Sequence, residues 1–192
     1  MTALIAGLVV FLGVHSTRIF ADDWRTRQVA QMGLQKWKLL YTVVSLLGFA
    51  LLVWGYGQAR MAPVVVWNPP VWTRHAASLL LLPSFILIVA GNMRGTRIKH
   101  WVGHPMVAGV KVWAFAHLLA NGTLADIVLF GSFLAWAIVD YISSRRRDRV
   151  AGIVYPPGSA GRDAVAIVGC IVAWAVFGFW LHGYLIGVRP FG

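Results

Sequence analysis

The sequence predicts an all-α, polytopic integral membrane protein, and three observations lead to this fold class. Hydrophobic residues make up 59% of the 192 residues, and only 12% are charged. A soluble core does not need that much apolar sequence. Six apolar segments also have about the 17–25 residues that a helix needs to span a bilayer. Neither a soluble domain nor a low-complexity tail is evident, so we expect a single transmembrane domain over residues 1–192.

The predicted spans, in chain order, are Thr2–Phe20, Leu39–Ala59, His75–Asn92, Trp101–Asn121, Leu124–Ile142 and Ala164–Val188. No basic residue precedes the first span, and no small-residue cleavage site follows it. We therefore expect a retained span rather than a signal peptide. Pro63, Pro69 and Pro70 lie between the second and third spans, where they predict an extended loop.

Turn chemistry marks the last three spans. Gly122 suits the end of the fourth helix, and Thr123 with Asp126 suits a capping box at the start of the fifth. The short turn between them predicts an antiparallel helical hairpin. The break at Pro156–Gly158 precedes Asp163, which we expect to be the N-cap of the sixth helix.

The basic residues predict the orientation. Thirteen Lys and Arg residues fall in the first, third and fifth connections, and only three, namely Arg60, Arg74 and Arg189, fall on the opposite side. By the positive-inside rule, both termini lie outside and the basic connections are cytoplasmic. The formal net charge of +11 is therefore explained by topology and not by nucleic-acid binding. The single cysteine, Cys170, excludes an intrachain disulfide and a cysteine-based metal site.

The six histidines are the main candidates for functional side chains in this sequence. The predicted topology sorts them into an inner set of His15, His100 and His104 and an outer set of His75, His117 and His182. Histidines at membrane depth serve either as hydrogen-bonding groups between helices or as ligands. His104 and His117 are thirteen residues apart, about 20 Å on a straight helix, so they cannot share one metal. His104 also precedes Pro105 and suits a plain helix start.

Lys111 falls near the middle of the fourth span, where a charged side chain needs a partner. We expect this partner to be a carboxylate or a cofactor propionate. Asp140 is the acidic candidate inside another span, but its place near the cytoplasmic end predicts pairing with the Arg145–Arg147 cluster instead.

Several short stretches resemble a known family. They are His15-Ser16, His104-Pro105-Met106, the run Trp113-Ala114-Phe115-Ala116-His117-Leu118-Leu119-Ala120-Asn121-Gly122, and the tail from His182 to Pro190. Over essentially the whole chain the sequence resembles the NnrU family of bacterial membrane proteins. That family is linked by name and context to denitrification, and it is similar to the 15-cis-zeta-carotene isomerases, integral membrane proteins that use a haem b held by histidine.

The resemblance implies a haem b cofactor bound by His117, His15 and His104, in that order of preference, with His117 and His15 on the iron. Lys111 would be the natural partner of a haem propionate. A His15–His117 pair would join the inner and outer sets, and would need a haem lying rather flat in the membrane or a shifted first helix. Otherwise one histidine ligates the iron and another orients a ligand. In the isomerases, a cysteine three residues before the matching histidine is proposed as an alternative iron ligand. Ala114 stands at that position here, so the resemblance does not extend to a switch between cysteine and histidine ligands.

The implied activity is the cis–trans isomerisation of a polyene, such as a carotenoid, that enters from the lipid of a bacterial inner membrane. No catalytic residue and no oligomeric state is assigned. One alternative is a non-enzymatic redox or assembly factor with a partner in nitrite and nitric oxide respiration. Another is a small transporter with a polar path lined by Lys111 and the histidines, although the sequence lacks the repeats and paired broken helices of many transporters.

Overall fold

The computed structural model describes residues 1–191, which form an almost entirely helical chain without a β-sheet. Gly192, the last residue of the predicted domain, lies outside the described residues. The helices are α1 (Thr2–His15), α2 (Thr17–Phe20), α3 (Asp22–Met32), α4 (Leu34–Met61), α5 (Val71–Asn92), α6 (Arg97–Val102), α7 (Pro105–Ala120), α8 (Leu124–Val150), α9 (Ala160–Val176) and α10 (His182–Ile186). A π-helical turn, Phe177–Leu181, joins α9 to α10 without a break.

Within residues 1–191, four helical rods are long and apolar enough to cross a membrane: α4, α5, α8 and the continuous rod Ala160–Ile186. The other two apolar helices are shorter, because α1 has 14 residues and α7 has 16. At 1.5 Å per residue they measure about 21 and 24 Å, against about 30 Å of hydrocarbon. The all-helical membrane fold is thus confirmed, while six spans and outside termini stay predictions.

The predicted fourth span, Trp101–Asn121, is wrong at its start. Trp101 belongs to α6, which ends at Gly103 with a φ of 76°. His104 is the N-cap of α7, and Pro105 occupies its first turn. A residue before proline avoids the helical region, and proline suits the first helical position because it has no N–H to satisfy. The sequence His104-Pro105 therefore starts a new helix, as one reading of His104 had anticipated.

The other five predicted spans also differ from the helices at one or both ends, and two of these differences have a clear physical cause. The first, Thr2–Phe20, is interrupted at Ser16, whose hydroxyl donates to the carbonyl of Leu12 at 2.6 Å. The fifth runs to Val150 instead of Ile142. Arginine is a good helix former, so the arginine cluster continues the helix beyond its apolar part. Asp140 pairs with Arg147 of that cluster at 4.0 Å, as predicted.

The predicted caps had different outcomes. The Thr123–Asp126 capping box is present at the start of α8. Asp163, however, is not the N-cap of α9, because Ser159 occupies that position. The Asp163 carboxylate instead accepts hydrogen bonds from the backbone N–H groups of Arg97 and Ile98, at 2.9 and 3.4 Å. A carboxylate at a helix N-terminus satisfies free N–H groups, so Asp163 caps the neighbouring helix α6.

Helix packing divides the bundle into two halves that α8 joins. In one half α1 packs closely along α4, and in the other α5 packs along α7 and α9. Helix α8 contacts α7, α1 and α4, and the predicted α7–α8 hairpin is confirmed. The buried core between α1, α4 and α8 consists of Leu4, Leu8, Leu52, Ala59, Ala125, Leu129 and Phe130. The extended loop between α4 and α5 pairs with the α7–α8 turn, where the Val66 N–H donates to Gly122 at 2.9 Å.

Candidate functional site

His117 lies in the last turn of α7, half-buried among aromatic rings. Its ring stacks on Phe130 with centroids 4.5 Å apart, and Trp113 lies at 5.0 Å. Nδ1 is 2.8 Å from the carbonyl oxygen of Trp113. Because a carbonyl can only accept, Nδ1 carries the proton and Nε2 keeps its lone pair. A backbone carbonyl on one ring nitrogen is the usual way to orient a histidine that ligates a metal through the other.

A buried carboxylate lies on α8, four residues before Phe130. Asp126 is 6% exposed and accepts from the Tyr56 hydroxyl at 2.5 Å and from the Thr123 hydroxyl at 2.6 Å. These hydrogen bonds tie the start of α8 to Tyr56 of α4. The contact between Asp126 and Thr123 was predicted from the sequence as a capping box. Nothing in the sequence spacing pointed to Tyr56, which lies seventy residues away on α4.

His182 lies at the same end of the bundle as His117. It is the first residue of α10, directly after the π-helical turn, and its Nδ1 donates to the carbonyl of Val188 at 2.7 Å. Helix α10 is attached to the end of α4 because the Arg60 guanidinium donates to the carbonyl of Ile186 at 2.8 Å. We call this end, with Tyr56, Asp126, His117 and His182, the His117 end.

His15 repeats the hydrogen-bonding pattern of His117 on a different helix. Its Nδ1 is 2.7 Å from the carbonyl oxygen of Phe11, four residues earlier, so Nε2 again keeps its lone pair. The ring lies 5.2 Å from that of Tyr41 on α4 and 6.1 Å from that of Trp136 on α8. In two histidines of the predicted haem site, a backbone carbonyl therefore holds Nδ1 and leaves Nε2 for another contact.

His15 and His117 lie at different levels of the bundle. His117 packs at the level of Phe130 and His15 at the level of Trp136, six residues further along α8, which is about 9 Å. A row of three rings links them. Phe11 lies 4.3 Å from His15, Phe133 lies 5.8 Å from Phe11 and 5.5 Å from Trp113, and Trp113 lies 5.0 Å from His117.

His104 lies at the opposite end of α7 from His117. Its Nε2 is 2.8 Å from the Asp148 carboxylate, which can only accept, so Nε2 carries the proton. The Tyr155 hydroxyl donates to the same oxygen at 2.8 Å, and Arg145 lies 3.7 Å from it. We call this end, with His104, Asp148 and Tyr155, the His104 end. In His104 it is thus Nε2 that is hydrogen-bonded, whereas in His15 and His117 it is Nδ1.

Tyr155 offers a titration test of this cluster. Burial, then the hydrogen bond to Asp148 and its charge, raise the pKa of Tyr155 to about 12. The neutral phenol is favoured in the folded state, so its contribution to stability is complete below about pH 10 and is lost as the pH rises through the folded pKa. We expect Asp148→Asn to lower the Tyr155 pKa, measured by ultraviolet absorbance, with Tyr155→Phe assigning the signal. An unchanged alkaline transition in Asp148→Asn would contradict this account.

Lys111 has an aromatic partner where we expected a carboxylate. Its ammonium lies 3.7 Å from the ring centroid of Tyr141 on α8, a cation–π contact. Lys111 follows His104 by seven residues on α7, and Tyr141 precedes Asp148 by seven on α8. The two pairs therefore form one polar seam along facing helices. Whether Lys111 also meets a propionate stays a prediction.

The remaining candidates have structural roles or are solvent-exposed. His100 contacts the carbonyl of Tyr155 at 2.5 Å, and His75 is exposed. Cys170 is buried, with its thiol 3.4 Å from the carbonyl of Phe85, as expected of an inert cysteine. Among residues 1–191 no three His, Cys, Asp or Glu side chains converge on a metal position.

Comparison with known proteins places this architecture in a family. No curated protein and no solved structure matches the chain. The family model described as NnrU protein matches residues 3–190, which include both histidine-bearing ends of the bundle and the helices between them. The protein therefore belongs to the NnrU family.

Proposed function

We propose that this protein is a haem b-binding integral membrane protein and that His117 is its principal iron ligand. The observation that carries the proposal is the hydrogen bond from His117 Nδ1 to the Trp113 carbonyl, which leaves Nε2 free in an aromatic environment. Six membrane spans, outside termini and a bacterial inner-membrane location belong to the same proposal.

The three histidines differ in how available their ligating nitrogens are. His117 and His15 both keep an Nε2 lone pair, whereas Nε2 of His104 donates to Asp148. This supports the order His117, His15, His104. Lys111 lies six residues before His117, about 9 Å along α7, and remains the candidate partner for a propionate.

We propose the cis–trans isomerisation of a polyene as the reaction. A bound haem would supply electron density that lowers the barrier to rotation about a conjugated double bond. The chain itself offers an apolar groove of about 370 Å³ between α1, α2 and α8, lined by Leu8, Val9, Leu12, Gly13, Ser16, Ile19, Phe20, Ser132, Ala135, Trp136 and Val139. Trp136 forms both a wall of this groove and a contact of His15. The groove supports lateral entry of an apolar chain from lipid.

The absorbance spectrum of the purified protein tests the proposal. The full chain in mild detergent, expressed with a haem precursor, should give oxidised and reduced haem b spectra and a stoichiometric pyridine haemochrome. A protein without a haem spectrum under these conditions would contradict the haem proposal.

A substitution at Gly13 tests whether the groove is the path of the substrate. A Cβ at Gly13 would meet nothing within 4 Å, so leucine there should fit the fold and occupy the groove. We expect Gly13→Leu to keep haem and helicity but to lose most polyene turnover, scored by isomer chromatography. Gly131→Leu is the matched control, because that position is equally open and does not line the groove. Equal turnover in both variants would exclude this groove as the substrate path.

A redox or assembly factor for nitrite and nitric oxide respiration is the second candidate. It is favoured by the row of aromatic rings between His15 and His117, in which successive centroids are 4.3 to 5.8 Å apart. Electron exchange with a respiratory partner, without isomerisation of any supplied polyene, would select this function over the isomerase.

A further inference from the structure

Three exposed arginines lie where α6 meets the start of α9. Arg94 is in the turn before α6, Arg97 is the first residue of α6, and Arg162 is in the first turn of α9. We call these three residues the α6–α9 basic patch. They come from segments more than sixty residues apart in the chain, so only the fold brings them to one place.

Hydrogen bonds between the two segments hold the patch together. The Arg162 guanidinium donates to the backbone carbonyl of Arg94 at 2.6 Å. The Asp163 carboxylate accepts from the backbone N–H of Arg97 at 2.9 Å. The backbone of both Arg94 and Arg97 is therefore attached to the start of α9, and the three arginines have a fixed arrangement that a freely moving charged segment lacks.

The positive charge of the patch is not neutralised by neighbouring carboxylates. Within residues 1–191, none of its three guanidinium groups lies within 4 Å of a carboxylate oxygen. Asp163 lies beside the patch, but its carboxylate accepts from backbone N–H groups of α6. On α8, in contrast, Arg145 and Arg147 pair with Asp148 and Asp140. Guanidinium groups without a carboxylate partner are well suited to bind phosphate, which they can hold through two parallel hydrogen bonds.

An exposed apolar surface continues from the patch along α9. Val165, Val168 and Val172 follow Arg162 at spacings of three and four residues, so they share one side of the helix. Each of these valines is more than half exposed, and we call them the α9 valine stripe. On α6, Trp101 is 70% exposed, which suits a residue at the membrane–water interface. The surface thus presents cations next to an apolar stripe, as a phospholipid presents a charged headgroup next to its acyl chains.

We propose that the α6–α9 basic patch binds the headgroup of an anionic phospholipid, and that an acyl chain of this lipid lies along the α9 valine stripe. Charge complementarity and the adjoining apolar surface select this class of ligand. Attraction to anionic lipid contributes about fivefold in affinity for each Lys or Arg near the membrane surface. The proposal is independent of haem binding and of any isomerase activity.

Lipid binding to the full-length protein in mild detergent tests the proposal. Titration with dioleoylphosphatidylglycerol, followed by native mass spectrometry, should show one lipid that binds more tightly than dioleoylphosphatidylcholine. We expect the double variant Arg94→Gln/Arg97→Gln to weaken this binding by about 25-fold, because two arginines are lost at about fivefold each. Both residues use only backbone groups in their contacts within residues 1–191, so the fold should persist.

Arg146→Gln/Arg149→Gln is the matched control. It removes the same charge from two exposed arginines on α8, outside the patch. This control should keep the tightly bound lipid as in the wild type. If both double variants weaken the binding equally, diffuse positive charge rather than the α6–α9 basic patch holds the lipid, and the proposal is wrong.

Inorganic phosphate distinguishes a lipid site from a site for a free anion. A ligand that binds only the folded protein raises its melting temperature. We expect dioleoylphosphatidylglycerol to raise the thermal transition of the wild type more than that of Arg94→Gln/Arg97→Gln, and inorganic phosphate to leave both unchanged. An equal rise with inorganic phosphate would assign the patch to a free anion. The absence of a tightly bound lipid in the wild type would also overturn the proposal.

Discussion

Replacing His117 with alanine is expected to abolish haem binding while the helices remain intact. The substitution removes a ring nitrogen that combines a fixed orientation with an aromatic environment. Changes that only disturb the support of a metal-ligating histidine typically cost 10–100-fold in affinity, and loss of the ligand itself should cost more. The haemochrome assay should therefore fall from stoichiometric to near background in His117→Ala.

The fold should tolerate this change. The lost stacking of His117 on Phe130 is worth about 0.5–1.5 kcal/mol beyond area burial, which is small against the packing of α7 on α5 and α8. Circular dichroism and gel filtration in detergent should match the wild type. His75→Ala is the control for the loss of a histidine as such. A full haem signal in well-folded His117→Ala would refute His117 as the principal ligand.

Gly55→Leu is expected to prevent stable folding of the α1–α4 half of the bundle. A Cβ at Gly55 would fall on the backbone of Ala3 and Leu4 in α1, and one at Gly7 would fall on the backbone of Leu51 and Leu52 in α4. The two helices thus cross in direct backbone contact, as small residues permit between membrane helices. Backbone cannot rotate away as a side chain can. We expect a loss at or above the upper end of the usual overpacking range, about 3 kcal/mol.

Gly57→Leu is a matched control on the same helix. A Cβ at Gly57 meets nothing within 4 Å, so the same substitution two residues away should leave the thermal transition in detergent unchanged or raised. Gly55→Leu should instead lose monodisperse protein or unfold at a much lower temperature. Equal stability of the two variants would show that α1 and α4 do not cross as described.

Local chemistry made several features predictable from the sequence. Hydropathy indicated a helical membrane protein, because the cost of burying polar backbone in lipid favours long apolar helices. The capping box at Thr123 and the pairing of Asp140 with Arg147 involve residues three to seven positions apart, so spacing predicted them. The pair His104-Pro105 even carried the signal for the helix start that the predicted span Trp101–Asn121 missed.

Contacts between distant segments could be decided only by the tertiary structure. Helical periodicity tells which residues share a face, but it does not tell which helix that face meets. The sequence alone could not show that Asp163 caps α6, that Lys111 lies on Tyr141, or that Phe133 stands between His15 and His117. In the same way, all six histidines were visible from the start. Which rings surround His15 and His117 depends on packing between helices that are far apart in the chain, which no local signal records.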